Sequence, residues 1–160
     1  MMEEDLKPRI ALARNHARKC ITKYALSLPI PIEDILINHY EFTIMKLDFK
    51  PTVSAMVDLD SRYIGINENH HPNRQRFTLA HELGHFCLGH ESRVFTEYAV
   101  EPGQNKSIFE VEANEFAAEL LMPSAQLKKL YPSSGVEELL NTFQVSKEAL
   151  FYQLMKHRLV

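Results

Sequence analysis

A chain of 160 residues, 45% apolar and 24% charged, can bury about 70% of its unfolded surface in one domain, and its five Gly and eight Pro exclude a fibrous or low-complexity protein. Eighteen Lys and Arg against 21 Asp and Glu leave a net charge of −3, which excludes a global positive field that would gather nucleic acid. Two cysteines, an acidic opening (Met1 to Asp5) and apolar runs all well short of the roughly 18 residues of a membrane span argue against a disulfide scaffold, a secretory leader and a spanning helix, so a cytoplasmic protein is expected.

Residues 6–26 carry Ile10, Ala13, Ala17, Ile21 and Tyr24 at helical spacing, with Arg14 and Arg18 on the opposite, solvated face. Pro29 and Pro31 end that helix. A short helix is expected near 32–38. Strands follow at 41–48, 53–59 and 62–67, the last two joined at Asp60-Ser61 as a hairpin, giving an antiparallel sheet of about three strands. A helix begins near Asn73 behind Pro72 and runs to Leu88. Residues 89–107, with Gly89, Pro102 and Gly103, read as a long loop. A second strong helix spans 108–122 and stops at Pro123, and helical segments occupy 124–131 and 135–157, broken around 143–146.

The fold class is therefore α+β, mostly helical. Residues 1–131 form the main domain, and residues 132–160 form a C-terminal extension with a helix-turn-helix look. Ser146 is placed to cap its second helix. Lys147, Lys156, His157 and Arg158 would suit DNA, but Leu139, Leu140, Val145, Leu150 and Leu154 suit packing against the rest of the chain. With so few basic residues, packing is the expected role and direct nucleic-acid binding is not.

The chemistry concentrates in Leu79-Ala80-His81-Glu82-Leu83-Gly84-His85-Phe86. His81 and His85 are one helical turn apart on one face and can share a metal ion. Glu82, about 100° round the helix, is displaced from that ion but near enough to act as general base on a water. Chance alone yields such a pattern only about 0.04 times in a chain of this composition. The apolar flanks bury the helix, and buried imidazoles and carboxylates need partners.

An open catalytic zinc needs a third protein ligand. Cys87 points away along the helix. His90 does not fit the HExxHxxGxxH spacing, because residue 88 is Leu and the histidine comes one place early. On the second helix, Glu110 and Glu115 project to solvent, while Glu112 and Glu119 share a stripe at the margin of the buried face. The residue pattern leaves Glu112, Glu115 and Glu119 open.

The string RQRFTLAHELGHFCLGH, followed by EVEANEFAAELLMP, resembles the ImmA/IrrE family of zinc metallopeptidases. The resemblance implies a minimal zincin-like fold with one Zn²⁺ held by His81, His85 and Glu112, and Glu82 as catalytic base. Two imidazoles and one carboxylate leave the ion near +1, enough to bring a bound water to a pKa of about 7. Residues 62–67 are the expected sheet edge for an added substrate strand. Tyr98 and His90 are weak candidates for an extra oxyanion donor. The resemblance further implies site-specific cleavage of a helix-turn-helix repressor, with a protein substrate as partner and no membrane. The competing reading is a non-catalytic zinc module that holds a repressor or DNA.

Overall fold

A computed structural model describes residues 6–24, 27–91, 93–99 and 107–160. The acidic opening, the last two residues of the expected first helix, and Pro102 with Gly103 lie outside them.

Helix α1 (Ile10–Tyr24) buries Ala13, Ala17 and Cys20 along one stripe. Helix α2 (Ile32–Asp34) runs into a π-helical turn over Ile35–His39, burying Ile32, Ile35 and Leu36. Strands β1 (Thr43–Leu47), β2 (Val53–Asp58) and β3 (Tyr63–Asn67) follow, then helix α3 (Pro72–Cys87). Strand β4 (Val94–Tyr98) leads towards helix α4 (Ile108–Leu121). Helices α5 (Ser124–Leu130), α6 (Val136–Phe143) and α7 (Lys147–Lys156) complete the chain.

The helix starts are chemically marked. His71 Nδ1 accepts from the Asn73 amide at the head of α3, with Pro72 in the first turn, where its missing N–H is not needed. Ser107 accepts from the Glu110 amide and Ser146 from the Ala149 amide, so the expected cap on α7 is present.

The sheet has four strands in the order β1-β3-β2-β4, rather than the three expected. The β2–β3 hairpin forms antiparallel, as its turn demands, but β1 pairs with β3 in parallel. β3 is thus interior, and residues 62–67 are not an edge. The reason lies in the segment read as loop: Val94-Phe95-Thr96-Glu97-Tyr98 carries enough strand-forming residues to pair antiparallel with β2. It therefore becomes the edge strand beside α3.

α4 is the central rod. It packs on α3 through one face and on α1 through another, and its Phe116, Ala117, Leu120 and Leu121 are fully buried. Leu139, Phe143, Val145, Leu150 and Leu154 of the C-terminal segment join the same apolar core. Arg76 of α3 also donates to the carbonyls of Phe143 and Gln144. Among the described residues, no helix is long and apolar enough to cross a membrane.

Arg14 and Arg18, expected in solvent, instead form a ladder together with Arg9, which lies just ahead of α1. Arg9, Arg14 and Arg18 pair with Glu112, Glu115 and Glu119 at 2.9, 3.3 and 3.1 Å, and each glutamate is at most 2% exposed. Both series ascend together, so α1 and α4 run in parallel. A glutamate stripe at i, i+3 and i+7 facing an arginine stripe is a match between helices that neither stripe reveals alone.

Gly84 sets the distance between α3 and α4. A Cβ there would lie 3.1 Å from Phe116 Cβ, tighter than ordinary contact. A larger residue must push the helices apart. Gly84→Val is expected to cost about 1–3 kcal/mol of stability in urea unfolding; an unchanged midpoint would show that the contact has slack.

Candidate metal centre

His81 and His85 project from the buried middle of α3, their Nε2 atoms 3.0 Å apart. Facing them from α4 is Glu110, with one carboxylate oxygen 3.1 Å from His81 Nε2 and the other 3.0 Å from His85 Nε2. Glu97 of β4 approaches from the sheet side, 3.3 Å from His81 Nε2 and 3.9 Å from His85 Nε2. Ligand-type atoms of these four residues all lie within 4.8 Å of one another.

The third position differs from the expectation. Glu112 is not turned towards the paired Nε2 atoms. Its carboxylate takes both a backbone and a bidentate side-chain approach from Arg9, and it accepts from His90 Nε2 at 2.9 Å. The guanidinium holds its pKa down at about 2, against the opposing pull of burial. A carboxylate already neutralised by Arg9 is a poor ligand. Glu110, read as solvated, is the α4 carboxylate that reaches the histidines. Because α4 is wrapped on several sides, its polar residues do not mark a solvent face.

A hydrogen-bond chain fixes the tautomers. Glu112 stays ionised beside Arg9, so His90 Nε2 donates to it. Burial lowers the His90 pKa and favours the neutral ring, whose Nδ1 then accepts from His85 Nδ1–H at 2.7 Å. His81 Nδ1–H donates to Asn114 Oδ1 at 2.8 Å. Against the pull of burial, Glu110 and Glu97 raise the His81 pKa well above its ordinary value when a proton rather than an ion stands between them. In the neutral rings both Nδ1 protons are spent on these partners, and both Nε2 lone pairs turn to the cluster. This is the arrangement that metal-binding histidines require. His90, discounted as a ligand, and Asn114, not singled out at all, are therefore positioning residues. Their signal lay in helical spacing: Asn114 is four residues after Glu110 and shares its face.

The donor set fits a divalent cation. Two imidazoles and two carboxylates converge, and among the described residues neither carboxylate is ion-paired with a lysine or arginine; such acceptors repel unless a cation or protons intervene. Where protons take the ion's place, burial of Glu110 still opposes its ionisation, yet hydrogen bonds donated by the protonated faces of His81 and His85 hold its pKa well below the usual carboxylate range. Glu82 is fully buried, and neither carboxylate oxygen has a hydrogen-bond partner among the described residues. Burial drives its pKa well above the ordinary value. A base beside an ion needs that raised proton affinity. Cys87 is turned towards Tyr40 and Cys20, its thiol pushed up to about 12 by burial, and has no place in the cluster.

The site opens into a cavity of about 230 Å³ lined by His81, Glu97, Tyr98, Glu110 and Asn114. Its wall residues Arg74, Phe77 and Asn114 also border a more apolar cavity of about 630 Å³ reaching Val111, Ala118 and Tyr152.

A sequence model of the Peptidase_M78 family, described as the IrrE N-terminal-like domain, matches residues 33–155. The chain is 32% identical over 104 residues to a protein of Deinococcus radiodurans named radiation response metalloprotease IrrE, covering 61% of this chain and 32% of that protein. It is 30% identical over 156 residues to a protein of the same name from Deinococcus deserti, covering 91% of this chain and 54% of the relative. The chain thus spans about a third and about half of these relatives. A solved structure titled Mycobacterium tuberculosis transcriptional regulator shares the fold at a TM-score of 0.64, with 13% identity over 90% of this chain and 46% of that one.

Two substitutions separate the glutamates of α4. Glu110→Gln is expected to weaken Zn²⁺ binding in chelator competition by more than tenfold at unchanged melting temperature. Glu112→Gln is expected to lower the melting temperature while retaining a bound ion; the reverse pattern would restore Glu112 as ligand. His90→Ala is expected to cost about 10–100-fold in Zn²⁺ affinity through the loosened His85 ring, and an unaltered affinity would remove its positioning role.

Proposed function

From the premise that the chain belongs to the Peptidase_M78 family of IrrE N-terminal-like domains, we propose that it is a zinc-dependent endopeptidase. One Zn²⁺ is held by His81, His85 and Glu110, with Glu82 as the catalytic base. The observation that carries this reading is the conjunction of two oriented imidazole lone pairs, a facing carboxylate and a buried, unpartnered glutamate one residue along the same helix.

When bound, the ion supplies Lewis-acid activation of water and stabilisation of developing negative charge. The chain supplies the rest. Glu82 takes a proton from the attacking water and returns it to the leaving amine. Asn114 and the His90–Glu112–Arg9 chain keep the two imidazoles in register. The paired cavities give an extended peptide somewhere to lie, with edge strand β4, rather than β3, alongside. Tyr98 lines the smaller cavity and is 63% exposed, so it is placed to meet substrate, whereas His90 is buried behind His85.

The substrate class we propose is a protein, specifically a helix-turn-helix repressor, a reading that rests on the motif pair in α3 and α4. Residues 1–131 constitute the peptidase unit in this proposal. Residues 132–160 are a packed wall of it rather than a DNA reader, which the burial of Leu139, Phe143, Leu150 and Leu154 supports.

A non-catalytic zinc module is the second reading, and Glu82 separates the two, because a structural ion needs no buried base beside it. Incubating the Zn²⁺-loaded protein with candidate repressors, followed by mass analysis, is expected to give a discrete cut. Glu82→Gln should slow that cut by about 10²–10⁴-fold. Cleavage at the same rate in both proteins would remove Glu82 from its role, and intact substrate in both would favour the binding module.

A further inference from the structure

Glu97 has no part in the mechanism above, yet its carboxylate lies against both metal-facing imidazoles. It sits on β4 opposite Ala55 of β2, and its side chain is only 11% exposed. An edge-strand glutamate with no role would turn outwards to water. This one turns in, towards Glu110 and the buried Glu82, and its ion-pair contacts among the described residues are with His81 and His85. A carboxylate buried beside others is costly unless positive charge compensates it.

The distances say what that charge is. Four donors held tetrahedrally at about 2.0–2.1 Å from one ion stand about 3.3 Å apart. Here the imidazole nitrogens are separated by 3.0 Å, the two oxygens of Glu110 stand 3.1 Å from one and 3.0 Å from the other, and the two oxygens of Glu97 stand 3.3 Å from one and 3.9 Å from the other. The Glu97 oxygen 3.3 Å from His81 Nε2 stands at that edge length, and ligand-type atoms of all four residues lie within 4.8 Å of one another.

We propose that Glu97 is a fourth protein ligand that closes the metal centre of the resting protein and must turn away before water can take its corner. This rests on the peptidase reading and deepens it: a fully protein-ligated ion is the closed type, and catalysis needs an open one. Two carboxylates also cancel the ion's charge, so the resting centre is a weak Lewis acid. β4 suits a removable ligand. It is bonded to the sheet only through β2, and its register slips between Val53 and Ala55.

Co²⁺ titration of the full chain followed by visible absorption, with and without azide, tests this without any substrate. The wild-type spectrum is expected to be tetrahedral and unmoved by azide. Glu97→Gln is expected to bind Co²⁺ at least about tenfold more weakly and to show a band that azide shifts. Glu97→Asp, which keeps the charge but withdraws the carboxylate by one methylene, is expected to respond to azide in the same way. Equal affinities, or a wild-type band as sensitive to azide as the variants, would overturn the proposal while leaving the three-ligand centre standing. Failure of the wild type to bind Co²⁺ would defeat the centre itself.

Discussion

The close approach of α3 and α4 at Gly84 and Phe116 is the constraint on which the rest depends. Two histidines one turn apart are common on helix surfaces and do nothing alone. They become a site because a second helix comes near enough for Glu110 to reach the gap between them and for Asn114 to hold one of the rings. Glycine inside a helix is unfavourable by roughly 1 kcal/mol relative to alanine, and at position 84 it permits an approach that a side chain could share only by displacing Phe116 by a few tenths of an ångström.

α4 serves three neighbours at once. Its Glu110–Asn114 face addresses the histidines, its Glu112–Glu115–Glu119 stripe addresses the arginines of α1, and its apolar residues fill the core. The two polar systems meet at His90, which passes the fixed charge of Glu112 on to the orientation of His85. The α1 ladder is thus more than a support for the fold. By holding Glu112 ionised, Arg9 decides which nitrogen of His90 carries the proton, and so which nitrogen of His85 is free.

Local spacing made the paired histidines, the neighbouring base and the positions of the long helices legible in the sequence, because each depends on residues within two turns of one another. The wrong reading of Glu110 came from assigning solvent to the polar side of an amphipathic helix. α4 has no solvent side of that kind, and partners remote in sequence say where its other glutamates go: the arginines at positions 9, 14 and 18, about a hundred residues away, and Tyr152, Gln153 and Lys156 of α7. β4 was hidden for a similar reason: five strand-forming residues inside a stretch punctuated by Gly and Pro gain their conformation from β2 rather than from their own pattern. With β4 hidden in this way, the strand nearest α3 in sequence reads as the edge, and nothing local marks Glu97.

Anomalous diffraction at the zinc edge, from crystals of the Zn²⁺-loaded protein, tests the central claim most directly. The account predicts one peak about 2.0–2.2 Å from His81 Nε2, His85 Nε2 and a Glu110 carboxylate oxygen, with Glu112 still on Arg9. A peak coordinated by Glu112 instead, or no peak between the two imidazoles, would contradict it.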